Sequence, residues 1–473
     1  MATLTSKIAR NTLLQVGGRA VGTLLGLFSL AILTRYLGTT GYGGFTTVTS
    51  FLQFFGILVD FGLTLTAVQM ISEKDADEPG IIGNIMSLRI ISAIIFFGLA
   101  PIVVLFFPYP EIVKIGVAVG SLAFAGMTLS QVLVGVFQKY LHMERVALAE
   151  IAGRAMLLIG IALAAWLNAG LVATIWALVA GNAVQLFIMI IASRRLIPFK
   201  LTFNAKLIKK IISQSWPIGV SIAFNLVYLK GDVVVLSIFR GQSEVGLYGA
   251  AYKVLDVITV IPMMFMGLVL PILVQAWSAH DHELFKKRLQ KAFDFSALLA
   301  LPIIGGTMIL GTPIMKLVAG SDFSGSGNLM KILIIAAGAV FFSSLYGHTV
   351  IAIGKQRQSI WAYAVTALLT FAAYFIFIPK FGASAAAWGT VFSESLIAII
   401  LFGIIIKTTR AYPKLSTSLR ALLATLCMTG TVYLFRGLPV LLPVLIGAIS
   451  YLVFLFVFRA ISLGTIKEFF LYK

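Results

Sequence analysis

Two opposite charges interrupt a long apolar run in residues 225–239, which read NLVYLKGDVVVLSIF. Lys230 and Asp232 are two residues apart, so on a helix they would point about 200° apart and would not pair with each other. If the run crosses a membrane, each charge needs a partner on another helix or a water-filled cavity, because an isolated charge in hydrocarbon is costly. Gly231 leaves room there for a neighbouring backbone or a substrate. The alternative for Lys230 is that its long side chain reaches the membrane surface.

Three arginines also lie inside predicted helices: Arg19, Arg89 and Arg154. Each is about seven or eight residues from the predicted cytoplasmic start of its helix, or about 12 Å along the axis. At that depth an arginine can either face a cavity or extend its side chain to the cytoplasmic interface. Arg154 has a third option, because Glu150 lies four residues earlier on the same helix face and could pair with it.

Four carboxylates lie at depth as well: Asp60, Asp232, Asp256 and Glu394. Asp256 follows Lys253 by three residues on one helix face, so these two can neutralise each other. Asp60 and Glu394 have no such neighbour on their own helices. The acids are therefore candidate counter-charges for buried cations, or groups that bind a coupling proton or sodium ion.

These charges are informative because the rest of the chain is so apolar. Of its 473 residues, 60% are hydrophobic and 11% are charged, whereas a soluble domain is about 25% charged. Apolar runs of about 20 residues recur along the chain, and each is long enough to cross a hydrocarbon core of about 30 Å. This pattern predicts an all-α integral membrane protein, because the strands of a membrane barrel would alternate in segments of about 10 residues.

The positions of the apolar runs predict about 14 transmembrane helices. Their predicted starts lie near Thr12, Gly43, Ile81, Ile112, Val146, Leu171, Trp216, Gly246, Ala292, Gly327, Ile360, Ala383, Leu419 and Val440. The first run continues to Leu33 without an evident cleavage site, so we predict that it is a retained helix and not a signal peptide.

The net charge of +19 is distributed unevenly among the predicted loops. When loops are assigned alternately to two sides, about 24 of the 36 lysines and arginines fall on one side, which the positive-inside rule assigns to the cytoplasm. We therefore predict a multi-pass protein of the cytoplasmic membrane with both termini in the cytoplasm. The basic residues then serve as topology signals and contact anionic membrane lipids, and we expect no nucleic-acid partner.

Groups typical of metal sites or of catalysis are scarce in the sequence. Cys427 is the single cysteine, which excludes an intrachain disulfide and fits no metal-ligand spacing. The four histidines form no HExxH motif, and no GxxxxGK[ST] phosphate-binding loop is present. We predict no metal, no cofactor and no enzymatic activity, with a membrane glycan polymerase or ligase as the enzymatic alternative.

An internal repeat is the most informative pattern. LGTTGYGGF aligns without a gap with RGQSEVGLY, which places Gly43 on Gly246 at an offset of 203. AGLVATIW aligns with FGASAAAW, which places Gly170 on Gly382 at an offset of 212. Each repeat holds about six helices, an even number, so the two repeats are predicted to run parallel and to be related by an axis along the membrane normal.

The repeat predicts the domain organisation. We predict an N-terminal six-helix bundle over 1–192, a basic cytoplasmic linker over 193–213 and a C-terminal six-helix bundle over 214–407. An extra helix pair and a cytoplasmic tail follow over 408–473. Because the pair lies outside the repeat, we expect it at the periphery, lining a groove for the long chain of a lipid.

Four segments carry a resemblance to a known superfamily. They are NTLLQVGGR entering the first helix, LGTTGYGGF at the first outer turn, and KGDVVVLSIF followed by EVGLYGAAYKV across the seventh and eighth helices. In this order they resemble the multidrug/oligosaccharidyl-lipid/polysaccharide exporter superfamily, and within it the O-antigen-type polysaccharide flippases and the lipid II flippases. The resemblance implies two six-helix bundles in a V, a cationic central cavity and alternating access. The extra helix pair resembles the lipid II flippases.

The resemblance also implies a substrate site. It implies that cavity cations of the first, seventh and eighth helices, which match Arg19, Lys230 and Lys253, contact the phosphates of a lipid-linked headgroup. Depth alone adds Arg89 and Arg154 to this group. Arginine suits phosphate because it binds the oxygens with two parallel hydrogen bonds, and lysine supplies a point charge.

The function expected from these features is translocation of a diphosphate-linked oligosaccharide or cell-envelope glycan precursor from the inner to the outer leaflet, coupled to an ion gradient. The expected partners are the lipid-linked glycan, a proton or sodium ion, membrane lipids, and the glycosyltransferases and polymerase of the same pathway. A drug or cation antiporter of the same superfamily is the nearer alternative. It would bind organic cations through carboxylates, so the excess of buried cations counts against it.

Overall fold

A computed structural model describes residues 2–194 and 196–461, with side chains for all of these except 2–16, 19, 221 and 225–229. The described residues form helices and no strands. The helices are α1 (Ala2–Asp60), α2 (Leu63–Ile71), α3 (Glu78–Val103), α4 (Glu111–Lys139), α5 (Met143–Trp166), α6 (Gly170–Arg194), α7 (Ala205–Phe239), α8 (Gln242–Ser278), α9 (His282–Ala319), α10 (Ser326–Ala352), α11 (Gln356–Thr409), α12 (Ser416–Leu434) and α13 (Leu441–Val457).

Two of these helices are divided by a glycine. Gly38 in α1 and Gly382 in α11 have φ values of 64° and 59°, a backbone conformation that only glycine adopts without strain. Each glycine separates two straight segments, and the second segments contain or begin at the predicted starts Gly43 and Ala383. Gly170, the repeat partner of Gly382, also has a positive φ, of 78°, at the first residue of α6.

The apolar helices confirm the prediction of an all-α integral membrane protein. Within the described residues, nine segments are long and apolar enough to cross a membrane, including the double-length stretches Ala20–Ile71 and Gln356–Thr409. Aromatic side chains at helix ends are strongly exposed: Phe106 after α3 by 85% and Trp166 at the end of α5 by 79%. Such positions are typical of aromatic residues at the membrane interface. The number of about 14 crossings stays a prediction.

The chain forms two compact units, Met1–Gly249 and Ala250–Lys473. In the first unit, one apolar core joins α2, α3 and α4, and another joins α1, α3, α4 and α6. In the second unit, α8 to α11 share a core, and α12 and α13 pack against each other and against α9. The domain boundaries predicted from the sequence stay predictions.

The segment between α6 and α7 packs against α3. Asn84 in the second turn of α3 is buried; its amide nitrogen donates to Thr202 Oγ1 at 2.9 Å, and its Oδ1 accepts the backbone N–H of Asn204 at 2.6 Å. The Asn204 side chain in turn accepts from the first backbone N–H groups of α7. These bonds fix the start of α7 against α3. Both helices belong to the first unit.

Candidate functional site

A break between α1 and α2 contains the first group of buried charges. Phe61 and Gly62 have φ values of 36° and 82°, so the helix stops at Asp60 and restarts at Leu63. The Asp60 carboxylate accepts the backbone N–H groups of Gly62 and Thr64, each at 3.3 Å, and the Thr64 hydroxyl at 2.6 Å. Asp60 therefore caps the N-terminus of α2, where a negative charge is stabilised by the helix dipole.

Arg89 of α3 supplies the counter-charge to Asp60. Its Nη2 donates to Asp60 Oδ1 at 2.5 Å and to Thr64 Oγ1 at 2.6 Å, and its side chain is fully buried. Among the described residues, Nε and Nη1 of Arg89 have no hydrogen-bond partner. The guanidinium group thus keeps two donor nitrogens that a water molecule or an anion can satisfy.

The same break lies directly against α7. A Cβ on Gly62 would come within 2.6 Å of the Ser215 carbonyl oxygen, and a Cβ on Gly219 would come within 2.7 Å of the Phe61 carbonyl oxygen. Pro217 lies between these two contacts inside α7. Interrupted membrane helices are typical of transporter sites, because they present unpaired backbone groups and helix ends inside the membrane.

A second buried carboxylate, Glu394, lies in the second half of α11 with 3% of its surface exposed. It accepts the Ser343 hydroxyl of α10 at 3.0 Å, and no described cationic side chain lies within ion-pair distance of it. The hydroxyls of Ser344, Thr366 and Thr370 on α10 and α11 are buried without a hydrogen-bond partner. Carboxylate and hydroxyl oxygens are ligands for a proton or a hard cation, so this region can bind either.

Asp232, which the sequence placed beside Lys230, is fully buried in α7. It accepts a short hydrogen bond from the Tyr248 hydroxyl of α8, and the backbone N–H of Val233 at 2.7 Å. Lys230 is partly buried and Gly231 is buried. Lys253 and Asp256 are exposed and partly buried, respectively. The roles predicted for these residues stay predictions.

Arg154 makes a different contact from the one expected with Glu150. In the described part of the chain it is bonded to the Gly22 carbonyl oxygen, with its Nη1 donating at 2.8 Å, and its guanidinium lies over Gly22 and Gly26 of α1. Glycines four residues apart leave a flat helix surface on which a long side chain can lie. The side chain of Arg19 lies outside the described residues.

The repeat-related segments themselves meet at a glycine crossing, formed by α1 after Gly38 and the first two turns of α8. A Cβ on Gly43 would collide with the Gln242 carbonyl oxygen, and a Cβ on Gly246 would collide with the Thr39 carbonyl oxygen. Side chains add a Thr39–Ser243 hydrogen bond of 2.8 Å and a Thr47–Gln242 bond of 2.7 Å. The offset of 203 relates Thr39 to Gln242 and Gly43 to Gly246. The contact of Thr39 with Gly246 is therefore the symmetry counterpart of the contact of Gln242 with Gly43, as at a twofold axis.

An apolar groove lies in the second unit between α9, α12 and α13, with a volume of about 760 Å³. Its lining includes Leu298 and Pro302 of α9, Met428 of α12, and Gly447 and Tyr451 of α13. The Tyr451 hydroxyl donates to the Leu298 carbonyl oxygen at 2.8 Å, which fixes α13 to α9. The groove has the apolar lining that a hydrocarbon chain requires.

A family model for polysaccharide biosynthesis proteins matches residues 8–277, more than half of the chain. The chain belongs to this family of polysaccharide biosynthesis proteins. The matched part of this polysaccharide biosynthesis protein includes the α1–α2 break, Arg89, the glycine crossing and Asp232. Glu394 and the apolar groove lie beyond it.

Curated relatives align over part of their length. A protein of Haloferax volcanii described as a probable low-salt glycan biosynthesis flippase is 25% identical over 172 residues, 36% of each chain. A protein of Shigella dysenteriae assigned as an O-antigen transporter is 23% identical over 203 residues, 42% of this chain and 50% of its own. This polysaccharide biosynthesis protein thus aligns with at most half the length of these two relatives.

Solved structures extend the fold similarity across the chain. A lipid II flippase, MurJ, in an inward closed conformation superposes with a TM-score of 0.80, covering 94% of this chain and 99% of the other at 18% identity. A multidrug resistance transporter of the MATE family, in an inward-facing conformation, gives a TM-score of 0.68 over 85% of this chain and 98% of the other at 14% identity. The chain therefore has the fold of these transporters.

Sequence reasoning missed the partners of the buried acids. Thr64 lies four residues after Asp60, a spacing at which two side chains are in contact on a continuous helix. Because the helix breaks between them, Asp60 instead caps the next helix and accepts the Thr64 hydroxyl there. Tyr248 and Ser343 carry no sequence signal that links them to Asp232 and Glu394. No group of three or more histidine, cysteine or carboxylate side chains that could hold a metal is found among the residues that the structure describes.

Proposed function

We propose that this protein moves a diphosphate-linked oligosaccharide or cell-envelope glycan precursor from the inner to the outer leaflet of the cytoplasmic membrane by alternating access, driven by an ion gradient. Membership of the polysaccharide biosynthesis family is the observation that carries this proposal. The likeness of the fold to a lipid II flippase supports it, because the fold supplies the membrane path that such a substrate needs. The names of both curated relatives also describe transport of glycans.

The substrate's diphosphate is the group that buried cations would bind. We assign this role to Arg19, Lys230 and Lys253, with Arg89 and Arg154 as further members of the group. Arg89 is supported by two guanidinium nitrogens without a described partner, Nε and Nη1, whose N–H groups can donate to phosphate oxygens. Asp60 holds the third nitrogen and offsets the charge while no substrate is present.

The coupling ion is a proton or a sodium ion bound at Glu394. The carboxylate is buried with a single hydroxyl donor among the described side chains, so adding a proton or cation relieves the cost of an uncompensated charge. Asp60, Asp232 and Asp256 serve as counter-charges to the buried cations in this proposal. The apolar groove beside α12 and α13 accepts the lipid chain of the substrate.

Reconstituted vesicles test the substrate and the site together. Wild type, Lys230→Gln and Lys230→Arg are compared for translocation of a lipid-linked oligosaccharide at equal protein abundance. Loss of a charge-assisted contact costs about 1.5 to 3 kcal/mol, so the Gln variant is expected to bind about ten- to a hundredfold more weakly, with partial recovery in the Arg variant. Wild-type transport by the Gln variant would remove Lys230 from the site.

Alternating access predicts that the glycine crossing opens during transport. The variant Thr39→Cys/Ser243→Cys, made with Cys427→Ser, places two thiols where the hydroxyls are 2.8 Å apart. Oxidation is expected to stop translocation and reduction to restore it, with Thr39→Cys alone as the control. Full transport by the oxidised, cross-linked protein would show that this crossing stays closed throughout the cycle.

A drug or cation antiporter is the second candidate, favoured by the MATE-family fold similarity and by the buried Glu394. The same vesicles distinguish the two functions, since an antiporter would exchange organic cations and leave lipid-linked glycans in the inner leaflet. We propose no catalytic activity and no cofactor, and both termini in the cytoplasm. The glycosyltransferases and polymerase of the same pathway are the proposed protein partners.

A further inference from the structure

A small basic pocket lies in the second unit, outside the groups described above. It has a volume of about 350 Å³ and is formed by the first turns of α9 and the segment that joins α11 to α12. Its charged lining consists of Lys286, Lys287 and Lys414 with Glu283. The positive-inside assignment puts this end of α9 at the cytoplasmic surface of the membrane.

The shape of the pocket is fixed by hydrogen bonds from a side chain of α9 to the backbone of the linking segment. The Gln290 side chain of α9 binds the linking segment twice: its Nε2 donates to the Lys414 carbonyl oxygen at 2.9 Å, and its Oε1 accepts the Lys414 backbone N–H at 2.7 Å. Arg410 at the end of α11 has a φ of 51°, which turns the chain towards α9, and Pro413 limits the segment further. Lys414 is therefore presented from a fixed backbone.

The charge of the pocket fits a diphosphate. Lys286 forms an ion pair of 3.0 Å with Glu283, whose side chain is 85% exposed. Three lysines and one glutamate leave a net charge of +2, which balances the −2 of a diphosphate diester and is larger than the −1 of a phospholipid phosphodiester requires. Basic pockets at the cytoplasmic ends of membrane helices typically bind phosphate headgroups.

The basic pocket and the apolar groove are both lined by residues of α9. Leu298 follows Lys287 by eleven residues, which places it on the same side of α9 and about 16 Å further along the helix axis. Phe295 and Leu298 line the groove. One molecule with an anionic head and a long apolar chain can therefore occupy both.

We propose that the basic pocket and the groove together form a docking site in the inner leaflet, where the diphosphate and the lipid chain of the substrate bind before transport. This inference rests on the proposed function and adds to it a binding step outside the buried cations. The docking site raises the local concentration of substrate beside the transport path. The docking site binds both an anionic head and an apolar chain, whereas a site for soluble phosphate would bind the anion alone.

The first test measures binding of a polyprenyl diphosphate without glycan to the purified protein in nanodiscs of phosphatidylcholine. The variant Lys286→Gln/Lys287→Gln/Lys414→Gln is expected to bind about tenfold or more weakly, because three charge contacts are lost. The control Lys206→Gln/Lys209→Gln/Lys355→Gln removes the same charge elsewhere and is expected to bind as wild type. Thermal unfolding of all proteins checks that the fold is kept.

The second test addresses the groove. Ala448 lines it and is exposed, so Ala448→Trp is expected to fill part of it and weaken binding, whereas its neighbour Ile449→Trp, which is outside the lining, is expected to have no effect. Unchanged affinity of either the triple lysine variant or Ala448→Trp would overturn the docking site. Equal competition by phosphatidylglycerol or by inorganic pyrophosphate would overturn it as well, in favour of a phospholipid or a free-phosphate site.

Transport assays separate this inference from the proposed function. If the docking site acts before transport, the triple lysine variant should need about tenfold more substrate for half-maximal translocation and reach the wild-type maximal rate. An unchanged substrate dependence would overturn the docking site and leave the flippase proposal intact. Lipid binding by a wild-type protein that translocates no lipid-linked glycan would instead reject the proposed function.

Discussion

Asp60 and Glu394 are both carboxylates inside membrane helices, but their surroundings differ. Asp60 caps α2 and pairs with the fully buried Arg89, so its charge is compensated by a cation and by three further hydrogen-bond donors. Glu394 has one described donor, the Ser343 hydroxyl. A compensated acid stabilises one arrangement of helices, whereas an uncompensated acid gains most from taking up a proton or cation. The first is suited to hold a helix break, and the second to exchange an ion.

The largest effect is expected at the ion pair. Arg89→Gln leaves the partly buried Asp60 without its cation. Breaking one side of a buried pair costs about 3 to 5 kcal/mol of unfolding free energy, and the part of Asp60 that is exposed puts the expected loss at the lower end of this range. Unfolding in mixed micelles measures this loss, with the exposed Arg357→Gln as the matched control. The double variant Asp60→Asn/Arg89→Gln should recover part of the loss. Additive losses in the double variant would show that the two side chains act independently.

A smaller effect is expected from the donor to Glu394. Ser343→Ala removes its hydrogen bond and should lower the unfolding free energy by about 1 kcal/mol. Ser344→Ala is the control on the adjacent residue, since that buried hydroxyl has no partner in the described structure and its removal should be neutral or stabilising. Equal effects of the two variants would contradict the contact between Ser343 and Glu394.

The smallest effect on stability is expected at Glu394 itself. Glu394→Gln keeps an oxygen that can accept from Ser343 and removes the ionisable group, so its unfolding free energy should stay within about 0.5 kcal/mol of wild type. Ion-driven translocation in vesicles should nevertheless be abolished. Gradient-dependent transport at the wild-type rate would exclude Glu394 from ion coupling. A large loss of stability would place it with Asp60 as a structural acid.

The helices could be predicted because apolar length and turn residues determine them locally. Each of the 14 predicted starts lies within a helix of the structure or next to its first residue, including those near Gly43 and Ala383 that follow the glycine kinks. These features depend on residues near each other in sequence. A membrane helix must also be long enough to cross the bilayer, which leaves few alternatives.

The partners of buried charges could not be predicted in the same way. Arg154 binds the backbone of Gly22 on another helix and not Glu150 on its own, because helix rotation decides which side chains meet. Asp60 looked isolated because the run through residue 71 reads as one continuous helix, although Phe61 and Gly62 interrupt it. Neither helix rotation nor a break of two residues is encoded in hydrophobic periodicity.

The glycine crossing has a consequence for the origin of the chain. A contact in which 39 meets 246 and 43 meets 242 is the contact that two identical chains form around a twofold axis. The crossing thus has, inside one polypeptide, the form of a contact in a symmetric dimer. The hydrogen bond from Thr47 to Gln242 has no counterpart in the other direction, because the position that the offset of 203 relates to Thr47 is Ala250. This hydrogen bond is therefore one place where the two repeat segments differ.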